Sequence, residues 1–354
     1  MSDKKKRAKR IRKLILTLLF IAINVAVIVA TATNEFGNSG DAAELSEINI
    51  QWGYLIPAAL CFIGMILLEV GKYVMMVKKT ADKKVPSGTA WKLAWRTVML
   101  GRYYDRVTPA AVGGQPFQIY HMRKSGLVSK GMASAIPVFG MISGQIAFML
   151  VAIPCFLFGG LVKDHSVLLM TAWFGLLFYA FWPMMVASAS FLPKTTTRLI
   201  KGFVRILAKF KIVKKKEETL DKIETEVNEY VRYTRMIVKN PGLFGGVIVL
   251  SIISNFLISL VPFFVLTAFG GNVGFWSCFI LTVAVESAVY FVPTPGNSGA
   301  AEGTFYVVFS ALSTGYVFWA MLFWRLFSYY IYIMVGPLIY LKMYLEKKRG
   351  KSKN

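Results

Sequence analysis

Apolar positions along the chain gather into long blocks rather than the three-and-four stripes of surface helices. Six blocks, at 14–31, 52–77, 132–160, 166–191, 242–269 and 315–342, reach the roughly 17–25 residues that a helix needs to cross the hydrocarbon layer. None alternates apolar and polar residues with a period of two, so a barrel is not expected and a helical bundle is. Two further apolar stretches, near 89–112 and 275–313, are broken by proline and glycine. In the second, WSCFILTVAVESAVY runs straight into FVPTPGNSGAAEGTF (291–305), with two prolines, three glycines and a carboxylate, Glu302. The pattern predicts an all-α integral membrane protein: a polytopic bundle of about six full spans and two re-entrant, broken helical hairpins.

Composition agrees with this reading. Of 354 residues, 56% are hydrophobic, and the mean hydropathy of +0.54 is that of a membrane protein. A net charge of +23 raises nucleic acid as a partner, but the basic residues flank the spans instead of forming a module of their own. KKKRAKRIRK precedes the first span, KKTADKK follows the second and EKKRGKSK ends the chain. Nucleic-acid binding is therefore excluded, and the clusters mark cytoplasmic ends with an affinity for anionic lipid headgroups. The acidic loop NEFGNSGDAAELSEIN falls outside, and both termini fall in the cytoplasm. The N-terminal apolar run, about 17 residues, exceeds a signal core and reads as an uncleaved anchor. Cys61, Cys155 and Cys278 lie in separate apolar stretches and read as packing. His121 and His165 are isolated, so no metal or cofactor is expected.

Charge also orders the chain into one transmembrane domain over 1–354, with 194–240 as a cytoplasmic helical connector. Within the connector, Ile200, Phe203, Val204 and Leu207 share an apolar face opposite Lys201, Arg205 and Lys209, as on a helix lying on an anionic surface. Leu220, Ile223, Val227, Tyr230, Thr234 and Ile237 then step by threes and fours, which predicts a helix; homodimerisation through this seam is the alternative to packing within the chain. The first broken segment enters from the cytoplasm and the second from outside. This is the arrangement of an inverted-repeat transporter, whose site lies at the breaks near the midplane. Two complete crossings by 275–292 and 303–313 would leave the tail on the same side.

The breaks also carry the candidate chemistry. Both contain a Thr-Pro pair followed by small residues: TPAAVGGQP (108–116) and TPGNSGAAE (294–302). Unpaired backbone in lipid costs several kcal/mol, so irregular backbone survives there only inside protein or beside a wet cavity. Proline removes donors and glycine admits close approach. A helix starting near Gly303 is expected to turn free N–H groups toward the break, as an anion cradle. Glu286, Glu302 and Arg325 are ionisable residues inside apolar stretches and so candidate site residues; Arg325 is expected to pair with Glu302 or Glu286, with a purely structural ion pair as the alternative. Arg102, Asp105 and Arg106 precede the first break, where guanidinium groups beside a glycine-rich turn suit a phosphate. Arg123 and Lys124 follow it and equally fit a cytoplasmic flank. Asn255 and Gln145 read as hydrogen bonds between helices, with cavity lining as the alternative.

At these motifs the chain resembles the flippase-like transmembrane domain of the lysylphosphatidylglycerol synthase family. The resemblance rests on TPAAVGGQPFQIYHMRKSG (108–126), PTPGNSGAAEGTF (293–305) and Arg325 with the aromatic residues after it, and it covers nearly the whole chain in span order. It implies translocation of a lipid with a polar or phosphorylated head in the bacterial plasma membrane. Carried over by position, Pro109, Gly113, Gly114, Gln115 and Pro116 match the first motif; many relatives have an acidic residue where Gln115 stands. Pro293, Pro295, Gly296, Gly299 and Glu302 match the second motif, and Arg325 matches the last-span arginine. Full-length family members carry this domain ahead of a soluble aminoacyl-transferase domain; with the sequence stopping at KKRGKSKN, that domain, any catalytic residue and enzymatic activity are not expected.

The function expected from all this is a lipid flippase acting on a phospholipid or another anionic lipid, including polyprenyl-phosphate or aminoacylated lipids. Membrane phospholipids are its partners. Headgroup binding is expected at Arg102, Arg106, Arg325, Glu302, Glu286 and Gln115. Absence of a GxxxxGK[ST] motif leaves pumping to an ion gradient or a partner. Two other classes stand beside it: a membrane subunit working with a separate lipid-modifying synthase, and a small-solute or ion transporter.

Overall fold

The structure, a computed structural model, describes residues 49–81, 84–108, 113–160, 166–191, 197–198, 201–202, 216–312 and 316–351. The expected first span at 14–31, the acidic loop that follows it, the amphipathic face on Ile200, Phe203, Val204 and Leu207, and Pro109 lie outside the described residues. Among those described there is helix and no strand.

The helices are α1 (Leu55–Thr80), α2 (Ser87–Val107), α3 (Gly114–Ser125), α4 (Lys130–Phe158), α5 (Ser166–Phe191), α6 (Lys216–Lys239), α7 (Pro241–Ala268), α8 (Phe275–Val289), α9 (Ala300–Ser310), α10 (Val317–Arg325) and α11 (Ile331–Lys351). Four of the apolar lengths, Trp52–Thr80, Lys130–Phe158, Pro241–Ala268 and Val317–Glu346, suffice to cross a membrane, and shorter apolar helices cover Ser166–Phe181 and Phe275–Val289. The last of the four is continuous but not uniform, because a π-helical turn, Leu326–Tyr330, joins α10 to α11. Local chemistry accounts for several ends. The Ser129 side chain accepts from the Met132 N–H to start α4, and Asn240 accepts from the Leu243 N–H with Pro241 in the first turn of α7; both satisfy helix-end donors.

Packing divides the bundle into two apolar clusters. One joins the later halves of α4 and α7 to α5, α8, α9 and α10, and the other joins α1, α2, Met122 on α3, the first halves of α4 and α7 and the end of α6 to Tyr332 on α11. Each cluster therefore holds one broken pair, α8–α9 or α2–α3. The breaks meet where α2 packs against the turn Pro295–Asn297. On the far side α5 and α8 touch backbone to backbone: a Cβ on Gly175 would lie 1.8 Å from the Ser287 carbonyl oxygen.

The expected connector contains α6, whose seam residues Thr234 and Ile237 pack inside the chain. Val231, Tyr233, Thr234 and Ile237 are buried, α6 packs on α4, and the Ser129 hydroxyl donates to the Tyr233 hydroxyl at 2.8 Å.

Candidate functional site

The first break is built by short-range bonds. Thr108 is extended (φ −114°, ψ 142°), as a residue before proline should be. Its hydroxyl donates to the Tyr104 carbonyl at 2.7 Å and accepts from the Gly113 N–H at 2.9 Å. Asp105 accepts from the Gly114 N–H at 2.9 Å. Gly114 must be glycine here, since a Cβ would sit 2.1 Å from Asp105 Oδ1.

The second break has bonds of its own. The Asn297 amide donates to the carbonyls of Val289 (2.5 Å) and Tyr290 (3.3 Å) at the end of α8. The Thr294 hydroxyl donates to the Ser298 carbonyl at 2.8 Å. Gly296 (φ +60°) and Gly299 (φ +91°) take left-handed conformations that cost glycine little. Glu302 accepts from the Gly299 N–H at 2.7 Å through Oε2 and from Arg325 Nε at 2.6 Å through Oε1. Arg325 also donates to the Gly296 carbonyl at 3.3 Å and lies against the rings of Trp324 and Tyr329. Of the two carboxylates open to Arg325, then, Glu302 is the partner. The glycine N–H groups at the breaks are used internally: Gly113, Gly114 and Gly299 give theirs to Thr108, Asp105 and Glu302, and Gly303 gives its own to the Gly299 carbonyl, while Ala300 and Ala301 open α9 ahead of that first helical bond. Side chains from both breaks face the space between them.

Those side chains surround a cavity of about 580 Å³ between the two breaks. Arg102, Arg106, Gln115, Glu286 and Arg325 line it, as do Pro116 and Gly296 from the two motifs. Glu302 stands behind the wall, 2% exposed, and Pro293 is exposed away from it. Asn255 and Gln145 do both of the things open to them: each lines the cavity, while Asn255 donates to the Gly144 carbonyl at 3.0 Å and Gln145 to the Tyr290 hydroxyl at 2.9 Å.

Two lining residues that the sequence reading passed over carry charge. Glu69 and Lys72 lie one turn apart on α1 and pair at 2.9 Å, and Arg102 reaches Glu69 at 3.6 Å. The signal was present, since both interrupt the apolar block 52–77 just as Glu286 interrupts its own. Asp105, noted beside the arginines, completes the set. Counting Glu302 behind Arg325, four cations and four carboxylates converge here among the described residues. Arg106, Asp105 and Glu286 have no opposite charge within 4.0 Å among the described residues. Arg106 gives its Nε to the Ser328 carbonyl at 2.9 Å in the π-helical turn, and Glu286 accepts from the Ser259 hydroxyl at 3.2 Å. Two buried atoms on the wall, Gln145 Oε1 and Ser328 Oγ, have no hydrogen-bond partner.

The arrangement has two poles. Arg102 and Arg106, one helical turn apart on α2, offer donors with the Ser328 hydroxyl. Glu286 and Gln145 offer acceptors beside Tyr290, whose ring lies 3.6 Å from that of Tyr179.

A family model described as the lysylphosphatidylglycerol synthase TM region matches residues 14–336. No curated protein and no solved structure matches the chain.

Proposed function

Because the chain belongs to the lysylphosphatidylglycerol synthase transmembrane-region family, a membrane protein family of lipid metabolism or transport, we propose that it moves a lipid with an anionic head between the leaflets of the bacterial plasma membrane. The observation that carries this reading is the ionic cavity of about 580 Å³ set between two broken helices of an apolar bundle. A headgroup phosphate crossing the hydrocarbon layer loses its water, at a cost of several kcal/mol unless fixed polar groups replace it. Arg102 and Arg106 replace it for the phosphate, through charge-assisted bonds. Arg325 lends charge to the same wall while remaining tied to Glu302 and the Gly296 carbonyl. Glu286 and the unpartnered Gln145 oxygen take the hydroxyl or ammonium protons of the rest of the head. Acyl tails stay in the bilayer.

The reading makes the protein a carrier without bond-making chemistry. Its N- and C-terminal basic clusters lie in the cytoplasm, facing anionic headgroups. The test is leaflet-resolved translocation of acyl-labelled phosphatidylglycerol in phosphatidylcholine proteoliposomes. Protein-containing vesicles are expected to exchange label across the bilayer, and Arg102→Ala with Arg106→Ala to slow exchange at least about tenfold, as loss of a charge-assisted bond implies. Equal rates with and without protein would sink the proposal. Label movement only when a separate synthase is added would favour a subunit role.

A further inference from the structure

Lys72 and Glu69 are charged, deep in the cavity wall, and have no part in the phosphate clamp just described. Lys72 is 1% exposed. Its ammonium donates to Glu69 Oε1 at 2.9 Å, to the Gly140 carbonyl at 3.1 Å and to the Ser251 hydroxyl at 3.1 Å. An ammonium has three protons, so Lys72 has none left for a ligand. What it does is anchor Glu69, whose Oε1 also accepts from the Ser254 hydroxyl at 3.4 Å.

The other oxygen of Glu69 is held quite differently. Its charged neighbour is Arg102 Nη2 at 3.6 Å, beyond hydrogen-bond length. The Arg102 side chain is 36% exposed, against 4% for Arg325 in its 2.6 Å bond. Arg102 is thus attracted by a fixed carboxylate without being bound to it, and it faces the cavity on the same side of α2 as Arg106.

We infer that Glu69 is an internal counter-anion which a headgroup phosphate displaces from Arg102, and so a positioning residue that sets how long the site retains its lipid. The inference rests on the lipid-translocation reading above. Before a headgroup arrives Arg102 needs an opposite charge, and Glu69 supplies it. When phosphate arrives, Arg102 turns to it together with Arg106. Glu69 cannot follow, because Lys72 and Ser254 hold it, and Lys72 in turn is held by Gly140 and Ser251. The carboxylate therefore stays close enough to repel the phosphate and to reclaim Arg102 on release. A transport site must bind well enough to load and weakly enough to unload. Two arginines without Glu69 would fail at the second task.

The experiment pairs two measurements on the full chain. Dihexanoyl-phosphatidylglycerol is titrated calorimetrically into detergent-solubilised protein, and translocation of labelled phosphatidylglycerol is followed in phosphatidylcholine proteoliposomes as its fraction rises. Removing one negative charge a few ångströms from a bound phosphate is expected to tighten binding by about tenfold in Glu69→Gln. Saturated translocation should slow at the same time, so that KM and kcat fall together. A residue that only supports the fold would weaken binding and transport alike. Should Glu69→Gln not fold, Glu69→Asp decides. It keeps the charge beside Lys72 but withdraws it by one methylene from Arg102, and about threefold tighter binding is expected. Unchanged or weaker binding in the variant that folds overturns the inference. Wild-type protein that binds phosphatidylglycerol yet moves none would remove the transport reading and leave the binding comparison to judge Glu69. Normal transport with unaltered binding in the variants would remove Glu69's role and leave the transport reading in place.

Discussion

Glu302→Gln isolates the charge of the best-buried ion pair in the molecule's second break. The substitution keeps the shape, and its amide oxygen can still accept from the Gly299 N–H, so the cap on α9 survives. What disappears is the negative charge 2.6 Å from Arg325 Nε, in a pair whose side chains are 3% and 4% exposed. At an effective dielectric of about 20 that contact represents about 6 kcal/mol of attraction before desolvation is counted. Experience with buried pairs puts the loss from removing one partner at about 3–5 kcal/mol, because the remaining charge is stranded. Arg325→Met strands the carboxylate instead, with a similar cost. Removing both charges strands neither, so the double variant should lie within about 1–2 kcal/mol of wild type. Thermal unfolding in detergent should accordingly drop by about 6–10 °C for each single variant, at about 2 °C per kcal/mol for a chain of this size, and by far less for the double variant. Losses that simply add would refute the reasoning, since they would mean that the two groups act independently. Lipid translocation should be lost in both single variants, because Arg325 also holds the Gly296 carbonyl that shapes the turn.

Other outcomes follow from the same geometry. Gly296→Ala combines a left-handed backbone with a Cβ only 2.3 Å from the Tyr329 ring, so it should cost at least about 2 kcal/mol, measured as a lowered melting temperature and reduced yield of monodisperse protein. Gly114→Ala drives a methyl into the Asp105 carboxylate that caps the first break; translocation should fall at least about tenfold, the scale of an ångström-level displacement at a positioned site. Asn240→Ala removes the cap of α7 far from the cavity, and should lower stability by about 1 kcal/mol while phosphatidylglycerol binding stays unchanged by calorimetry.

Much of this molecule can be read along its chain because lipid imposes a simple rule: backbone polar groups must be satisfied within a helix, so spans appear as apolar blocks and breaks appear as proline and glycine. That rule placed α1, α4, α5, α7 and the last span within a few residues, and singled out both interruptions. It also singles out Arg325 and Glu286 as charges in the wrong solvent, and Glu69 and Lys72 interrupt the second block in the same way. Partner choice was not legible in the same way. Glu286 and Glu302 are equally plausible mates for Arg325 on paper. The turn at Pro295–Asn297, held by Asn297 on the last carbonyls of α8, redirects α9 so that Glu302 meets Arg325 while Glu286 accepts from Ser259. The same folding spends the glycine N–H groups on Thr108, Asp105 and Glu302 and leaves Arg106 with no carboxylate within 4.0 Å among the described residues. Composition and spacing say which charges the membrane must hide; distances across helices far apart in sequence say which of them are already neutralised and which remain for a ligand.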